Sequence, residues 1–359
     1  MTAPAISHAP AAAAGHHKPS PVLTAAIAVI FVALAVTPFV FPGSQSLNVA
    51  AKICYFIVLA ASFDLLLGYT GIVSFAHTMF FGIGGYGAAI ALYSIGPTWG
   101  ALAIGTLAAL ALAVLLALVI GLFSLRVRAI FFAMITLAVA SAFAILASQL
   151  GWLTGGEDGR TFRVPELLRP GTKLFANDVF GLTINGRIVA YYLVFLVALV
   201  LFLAMLRIVH SPFGSVLQAI RENDFRAEAI GYRTVIYRVT INCVAAAMAA
   251  LAGVLCAVWL RYTGPGTTLS FDIMLDILLM VVIGGMGTLW GAVLGATILL
   301  LAESYLRELM AVLSNAFSGL PVLPQLFHPD RWLLWLGVLF ILSIYFFPTG
   351  IVGKLRRQG

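Results

Sequence analysis

Few residues of this 359-residue chain are of the types that do chemistry, and two of them stand inside apolar runs. Asp64 and His77 interrupt stretches that are otherwise hydrophobic. An ionisable side chain is expensive in lipid and usually faces the interior of a helical bundle. One interpretation is a buried hydrogen bond that orients two helices; the other is a place near the path of a transported molecule. Asp272 and Asp276 flank an apolar run and fit an interfacial position.

The motifs of common enzymes are absent from the sequence. It has no G-x-x-x-x-G-K-[ST] phosphate loop, no H-E-x-x-H zinc motif and no G-x-S-x-G nucleophile motif. Cys54, Cys243 and Cys256 lie in apolar runs without metal-binding or redox spacing, as small hydrophobic residues do. We therefore expect no catalytic residue, no bound metal, no cofactor and no ATP hydrolysis by this chain itself.

The composition excludes a soluble domain. Hydrophobic residues make up 62% of the chain and charged residues 9%, whereas soluble domains carry about 25% charged residues. A polytopic integral membrane protein is the class that remains. The net charge of +7 comes from basic residues in short gaps between apolar runs, so we expect membrane lipid as a partner and no nucleic acid.

The elements that position these residues are predicted by apolar runs, because a spanning helix needs about 20 mostly apolar residues. Around 273–309, Gly284, Gly285 and Gly287 indicate a hairpin, a break or a re-entrant turn. We expect an all-α integral membrane protein with about ten transmembrane or re-entrant helices in residues 21–350, a disordered tail at 1–20 and a basic tail at 351–359. The runs are 22–41, 49–67, 71–92, 100–123, 129–150, 188–209, 239–260, 273–287, 289–309 and 332–347.

Two glycine-rich stretches fall within these runs. Small residues spaced four positions apart allow helix backbones to approach closely, as in the row Ser74, Thr78 and Gly82. Tight packing is one interpretation; an irregular backbone that lines a substrate pathway is the other. The candidate path residues are Asp64, Gly71, Ser74, His77, Gly82, Gly284, Gly285 and Gly287.

The polar stretch 210–238 predicts a short amphipathic helix between two spans. Ser215 and Gln218 fit a capping box at its start, and Gly231 is a suitable stop. Glu222 and Arg226 have the spacing of a favourable helical ion pair. The helix is either a solvated linker or a docking surface for a soluble partner. Its apolar stripe consists of Val216, Ile220, Ala227 and Ile230.

Four motifs in this order resemble the permease subunits of branched-chain (hydrophobic) amino-acid ABC importers, over roughly residues 48–350. They are Gly68-Tyr-Thr-Gly71 with Ser74-Phe-Ala-His77, Leu153-Thr-Gly-Gly-Glu-Asp-Gly159, Ala219-Ile-Arg-Glu-Asn223 with Ala227-Glu-Ala-Ile-Gly231, and Ile283-Gly-Gly-Met-Gly-Thr-Leu-Trp-Gly291.

The resemblance implies a permease domain that pairs with a second, related permease subunit. It also implies two cytoplasmic ATPase subunits and a periplasmic substrate-binding protein. The loop 210–238 then carries the cytoplasmic coupling helix, and the loop 151–187 faces the periplasm, where Thr154, Gly155, Gly156 and Asp158 receive the binding protein. The implied ATPase-coupling residues are Arg221, Glu222, Asn223, Arg226, Glu228, Ala229 and Gly231.

The same resemblance implies a multi-pass protein of the bacterial inner membrane with both termini in the cytoplasm. The charge bias alone decides little, since that orientation places 11 basic residues inside and the other 9 of the 20 outside.

Departures from the family motifs, and single ionisable residues, suggest alternative functions. Asp64 stands where many family members have Asn, and Asp there also occurs in the related urea permeases. Phe75-Ala-His77 replaces a frequent Leu-Gly-His. The alternatives are a urea or short-amide permease, an ion-coupled secondary transporter with Asp64 and His77 as its relay, and a membrane scaffold. An intramembrane enzyme lacks candidate groups.

Overall fold

The computed structural model describes residues 21–41, 43–124, 129–172, 185–316, 327–346 and 350–357. The expected tail at 1–20 lies outside these ranges. The α-helices are α1 (Pro21–Val40), α2 (Ser44–Thr70), α3 (His77–Ser94), α4 (Trp99–Ser124), α5 (Ala129–Gln149), α6 (Gly151–Thr154), α7 (Gly186–Val209), α8 (Pro212–Glu222), α9 (Asp224–Ala229), α10 (Thr234–Leu260), α11 (Pro265–Thr268), α12 (Phe271–Gly284), α13 (Leu289–Ala316), α14 (Trp332–Phe346) and α15 (Gly350–Arg357).

Helix α2 forms the centre of the bundle. It is almost wholly buried and packs against α7, α10, α12 and α13. It ends at Thr70 because Gly71 takes φ +72°, a left-handed conformation that favours glycine, and the Gly71 N–H donates to the Leu67 carbonyl at 3.2 Å. Residues 71–76 then return into the bundle without helix, so that α3 begins inside the protein.

Helices α3 and α10 are in backbone contact. A methyl group on Gly84 would overlap the Ala250 carbonyl of α10, and one on Gly253 would overlap the Phe81 carbonyl of α3. Small residues at a crossing are how helices associate closely in lipid, where the hydrophobic effect does not drive them together. This crossing helps to bury α3 along most of its length, up to Leu92.

Eight helical segments of the described ranges are long and apolar enough to cross a membrane, whereas we expected about ten. The run 71–92 forms α3, which starts at residue 77 and carries a histidine and several glycines; an enclosed helix does not need a strongly apolar surface. Helix α14 has 15 residues, fewer than a span requires. The all-α membrane class is confirmed.

The turn between α12 and α13 settles the alternatives around 273–309 in favour of a helical hairpin. Gly285 and Gly287 take φ +116° and +84°. The Thr288 hydroxyl donates to the Gly285 carbonyl at 2.9 Å and accepts from the Gly291 N–H at 3.2 Å. A methyl group on Gly284 would overlap the Gly291 carbonyl, so the two helices start in backbone contact.

A two-stranded antiparallel sheet and the last helix complete the fold. Strand β1 (Arg160–Thr161) pairs with β2 (Tyr262–Thr263) in the register Arg160 to Thr263. Residues 350–357, part of the expected basic tail, form α15, and its Val352 is fully buried against the bundle.

Candidate functional site

Asp64 lies near the C-terminal end of α2 and is fully buried. Its Oδ1 accepts a hydrogen bond from the Gly287 N–H at 2.9 Å, in the turn between α12 and α13. Its Oδ2 has no hydrogen-bond partner among the described residues. The carboxyl group therefore joins two elements that are more than 200 positions apart in the chain, as the packing interpretation of Asp64 requires.

Arg221 of α8 reaches the same place. Its guanidinium Nη1 donates to the Gly68 carbonyl of α2. Gly287 lies against that guanidinium, since a methyl group there would stand 2.6 Å from Nη1. The structure thus brings together a residue predicted for ATPase coupling and two residues predicted for the path.

Ser74 and His77 lie in and after the non-helical segment 71–76. Ser74 is buried, and its Oγ accepts from the Ala76 N–H at 3.4 Å. The His77 ring contacts Phe63 edge-on, with ring centroids 5.2 Å apart. Within the described residues its nitrogens have no hydrogen-bond partner and it forms no ion pair, so a relay between Asp64 and His77 has no direct bond to carry it.

An open apolar groove of about 300 Å³ lies between the non-helical segment and the outer helix α5, whose Ile130 and Met134 are 75% and 62% exposed. The Phe75 N–H donates to Thr136 Oγ1 of α5 at 3.1 Å, which holds the segment against that helix. Phe75 also lies 6.2 Å from Phe271, the first residue of α12, measured between ring centroids. The lining residues are Val73, Phe75, Ile130, Ala133, Met134 and Leu137.

Gly82 positions the start of α12 in another way. A Cβ atom on Gly82 would overlap the Leu269 side chain, which belongs to the connection between α11 and α12. A glycine at this position lets that connection pass close to α3. Gly82, a predicted path residue of α3, therefore lies beside the connection that precedes α12.

The predicted coupling helix is two helices. α8 begins at Pro212, because proline is well suited to the first helical position, so Ser215 lies inside the helix and the capping box with Gln218 is wrong. The break falls at Asn223, whose side-chain Oδ1 accepts from the Arg226 N–H at 2.9 Å and caps α9.

This break corrects two further expectations. Glu222 and Arg226 belong to different helices and do not have helical i,i+4 geometry. Of the apolar stripe, Ile220 and Ala227 are buried, but Ile230 is 71% exposed. Gly231 takes φ +105° just after the end of α9, as expected of a stop.

One side of α9 is bonded to α10, and the other side is exposed. Asp224 forms an ion pair with Arg238 of α10 at 2.9 Å, and Glu228 Oε1 accepts from the Thr234 hydroxyl at 2.7 Å. These bonds fix the segment to the start of α10. The side chains left on the outer face include Phe225, which is 82% exposed.

The loop after α5 forms a second candidate surface. The Thr154 hydroxyl donates to the Ala147 carbonyl at 2.6 Å, and Gly155 and Gly156 take φ +87° and +70°. The Asp158 carbonyl accepts from the Tyr262 hydroxyl at 2.9 Å, so the turn is held beside β2. The neighbouring Trp152 is 77% exposed.

Sequence reasoning missed an ion pair inside the bundle. Lys52 Nζ of α2 lies 2.8 Å from Glu303 Oε2 of α13, with both side chains about one third exposed. Asp276 of α12 interacts electrostatically with both. The sequence could have indicated this pair, since Lys52 and Glu303 are ionisable residues within predicted spans. The same criterion had selected Asp64.

Sequence reasoning also missed two arginines, one at the start of α7 and one just after the end of α10. Arg187 donates to Ser44 Oγ at 2.6 Å and to Asn48 Oδ1 at 3.1 Å, and it lies over the Trp259 ring. Arg261, just beyond α10, lines the same small recess. Burial and then the charge of Arg187 lower the pKa of Arg261.

Comparisons with known proteins identify the class of molecule that this bundle represents. The family model described as branched-chain amino acid transport system, permease component, matches residues 45–344. The chain belongs to this family of membrane permeases.

Individual relatives agree. The chain is 27% identical over 321 residues to the high-affinity branched-chain amino acid transport permease LivM of Escherichia coli, covering 83% of this chain and 73% of that protein. It is 26% identical over 304 residues to LivM of Salmonella typhimurium, covering 79% and 69%. It is 24% identical over 306 residues to LivH of Salmonella typhimurium, covering 83% and 91%. No solved structure matches the chain.

Proposed function

We propose that this chain is the membrane subunit of an ATP-driven importer for branched-chain or other hydrophobic amino acids. In this proposal it forms the path with a second, related permease, and two cytoplasmic ATPase subunits drive it. A periplasmic protein delivers the substrate. The chain lies in the bacterial inner membrane with both termini cytoplasmic. Its similarity to both a LivM and a LivH permease supports the pairing of two related subunits.

The main support for the proposal is the segment α8–α9, whose inner and outer faces differ in burial. Its inner face is buried through Leu217, Ile220 and Ala227 against the spanning helices. Its outer face presents Phe225 and Ile230 among charged residues. An exposed apolar patch with a charged rim is typical of a protein interaction site. We infer that the ATPase subunit binds this outer face.

Replacement of Phe225 by aspartate is expected to lower ATP-dependent uptake and substrate-stimulated ATP hydrolysis by about tenfold or more, because a central aromatic anchor of the interface is lost. Uptake and hydrolysis are measured in proteoliposomes that contain the complete complex. The matched control is Ile95→Asp, since Ile95 in the connection between α3 and α4 is 56% exposed and lies outside both the coupling segment and the spanning helices. Equal losses in both variants would contradict this docking surface.

The non-helical segment and its groove support a hydrophobic substrate. All six lining residues are apolar, so the groove suits an aliphatic side chain, while the charged amino and carboxylate groups of the same substrate require partners outside it. We propose that the path runs past this groove along Asp64, Gly71, Ser74, His77 and Gly82. The hairpin residues Gly284, Gly285 and Gly287 complete it.

The turn at Thr154, Gly155, Gly156 and Asp158 is the proposed docking site of the binding protein. Its glycine conformations and its bonds to Ala147 and Tyr262 hold it in one shape, and the exposed Trp152 adjoins it. A rigid turn beside an exposed indole is well suited to receive a soluble partner.

The substrate class is tested by uptake of labelled leucine, and separately of urea, into vesicles that hold the complex. ATP-dependent leucine uptake without urea uptake is the expected result. Urea uptake alone would favour the urea permease. Leucine uptake by this chain without the ATPases, abolished by an uncoupler, would instead support ion-coupled transport and contradict the proposal.

A further inference from the structure

Arg221 differs from the other charged residues of the coupling segment because its guanidinium points toward the bundle. Arg221 is partly exposed, as Glu222 and Arg226 are, whereas Asp224 and Glu228 are bonded to the start of α10. Arg221 alone among these five donates to the backbone of a central helix, at the Gly68 carbonyl of α2. Its role therefore differs from that of an ATPase contact.

On its inner side this guanidinium is tightly packed against the end of α2 and the hairpin turn. A Cβ atom on Gly68 would overlap Asp64 Oδ1 and the Gly287 backbone. One on Gly287 would lie 2.6 Å from Arg221 Nη1 and 2.9 Å from the Gly68 carbonyl, and Gly287 has φ +84°. The backbone of the hairpin turn thus lies as close as possible to the end of α2, and the Arg221 side chain packs against both. A displacement of one of these elements must displace the others.

Charge adds to this steric link. Gly287 donates its N–H to Asp64 Oδ1, and Arg221 interacts electrostatically with the same carboxylate. Within the described residues the second Asp64 oxygen has no hydrogen bond, and Arg221 is the cationic group that acts on this buried carboxyl.

We propose that Arg221 is a positioning residue that fastens the coupling segment to the end of α2 and to the α12–α13 turn, so that movement of α8 reaches both together. This inference rests on the proposed function, since it assigns a transmission route between the ATPase and the path. Arg221 is then a link within this chain and not part of the ATPase contact.

The test is the ratio of leucine transported to ATP hydrolysed in proteoliposomes with the complete complex. Arg221→Met is expected to lower this ratio about tenfold, in line with the loss of a hydrogen bond from a charged donor, while the ATPases stay bound and hydrolyse ATP. Arg221→Lys keeps the charge and is expected to recover part of the ratio. Arg207→Met, at an exposed arginine of α7, is the control with an unchanged ratio.

The complex is purified as a monodisperse species before reconstitution, so that misfolded chains and free ATPase subunits do not contribute ATP hydrolysis to the ratio. If Arg221→Met yields too little protein, the double variant Asp64→Asn/Arg221→Met also removes the buried ionisable group and is expected to restore the yield with the ratio still low. An unchanged ratio in either variant, or loss of ATPase binding in Arg221→Met, would overturn the inference. Absence of ATP-dependent uptake in the unmodified complex would instead reject the proposed function.

Discussion

Replacement of Gly253 by leucine is expected to lower the yield of folded protein. The α3 and α10 backbones touch at this position, so the new side chain meets the Phe81 carbonyl and not a movable side chain. Overpacking costs about 1–3 kcal/mol and occasionally more, and we expect the upper end of that range because the neighbouring atoms are backbone. The measurement is the yield of monodisperse protein and its thermal unfolding temperature in detergent.

The control for this prediction is Gly100→Leu. Gly100 also lies in a spanning helix, α4, but a Cβ atom there has no neighbour within 4 Å. The Gly100 variant is expected to unfold at the temperature of the unmodified chain. If the two variants behave alike, the contact between α3 and α10 is not the cause of the loss.

Replacement of Lys52 by methionine is expected to have the second largest effect. It leaves Glu303 without its cation among spanning helices, and both side chains are about one third exposed. Breaking a fully buried pair costs about 3–5 kcal/mol, so we expect about 1–3 kcal/mol at this partial exposure. The measurement is thermal unfolding in detergent, with Arg163→Met on the exposed loop as a control.

A double-mutant cycle separates the ion pair from other effects of the substitution. Lys52→Met and Glu303→Leu each leave one charge unpaired, whereas the double variant leaves none. The double variant is expected to be more stable than Lys52→Met alone. Additive losses would mean that the two side chains stabilise the chain independently.

Helix bounds that depend mainly on the local sequence could be predicted. The spans on the outside of the bundle, α4, α5 and α7, closely match the predicted runs 100–123, 129–150 and 188–209. A helix that faces lipid must be apolar for its full length, so composition identifies it. The stop after α9 at Gly231 follows from glycine's freedom at positive φ.

Positions decided by tertiary contacts could not be predicted in this way. α2 begins at Ser44, five residues before the predicted run, because Ser44 and Asn48 are bonded to Arg187 of α7. α3 starts late because the chain leaves Gly71 and runs back along α5 first. The inward direction of Arg221 depends on a carbonyl 153 positions away, and no local pattern contains it.

The ion pair of α2 bears on how the chain is synthesised. Lys52 meets Glu303 across 251 positions, and Asp64 meets Gly287 across 223. At about 5–20 residues per second, translation of that interval takes roughly 10–50 s. During this time α2 holds a lysine and an aspartate without their final partners, and lipid is a poor place for either. The nascent α2 is therefore expected to stay beside the insertion machinery or a chaperone until α13 emerges.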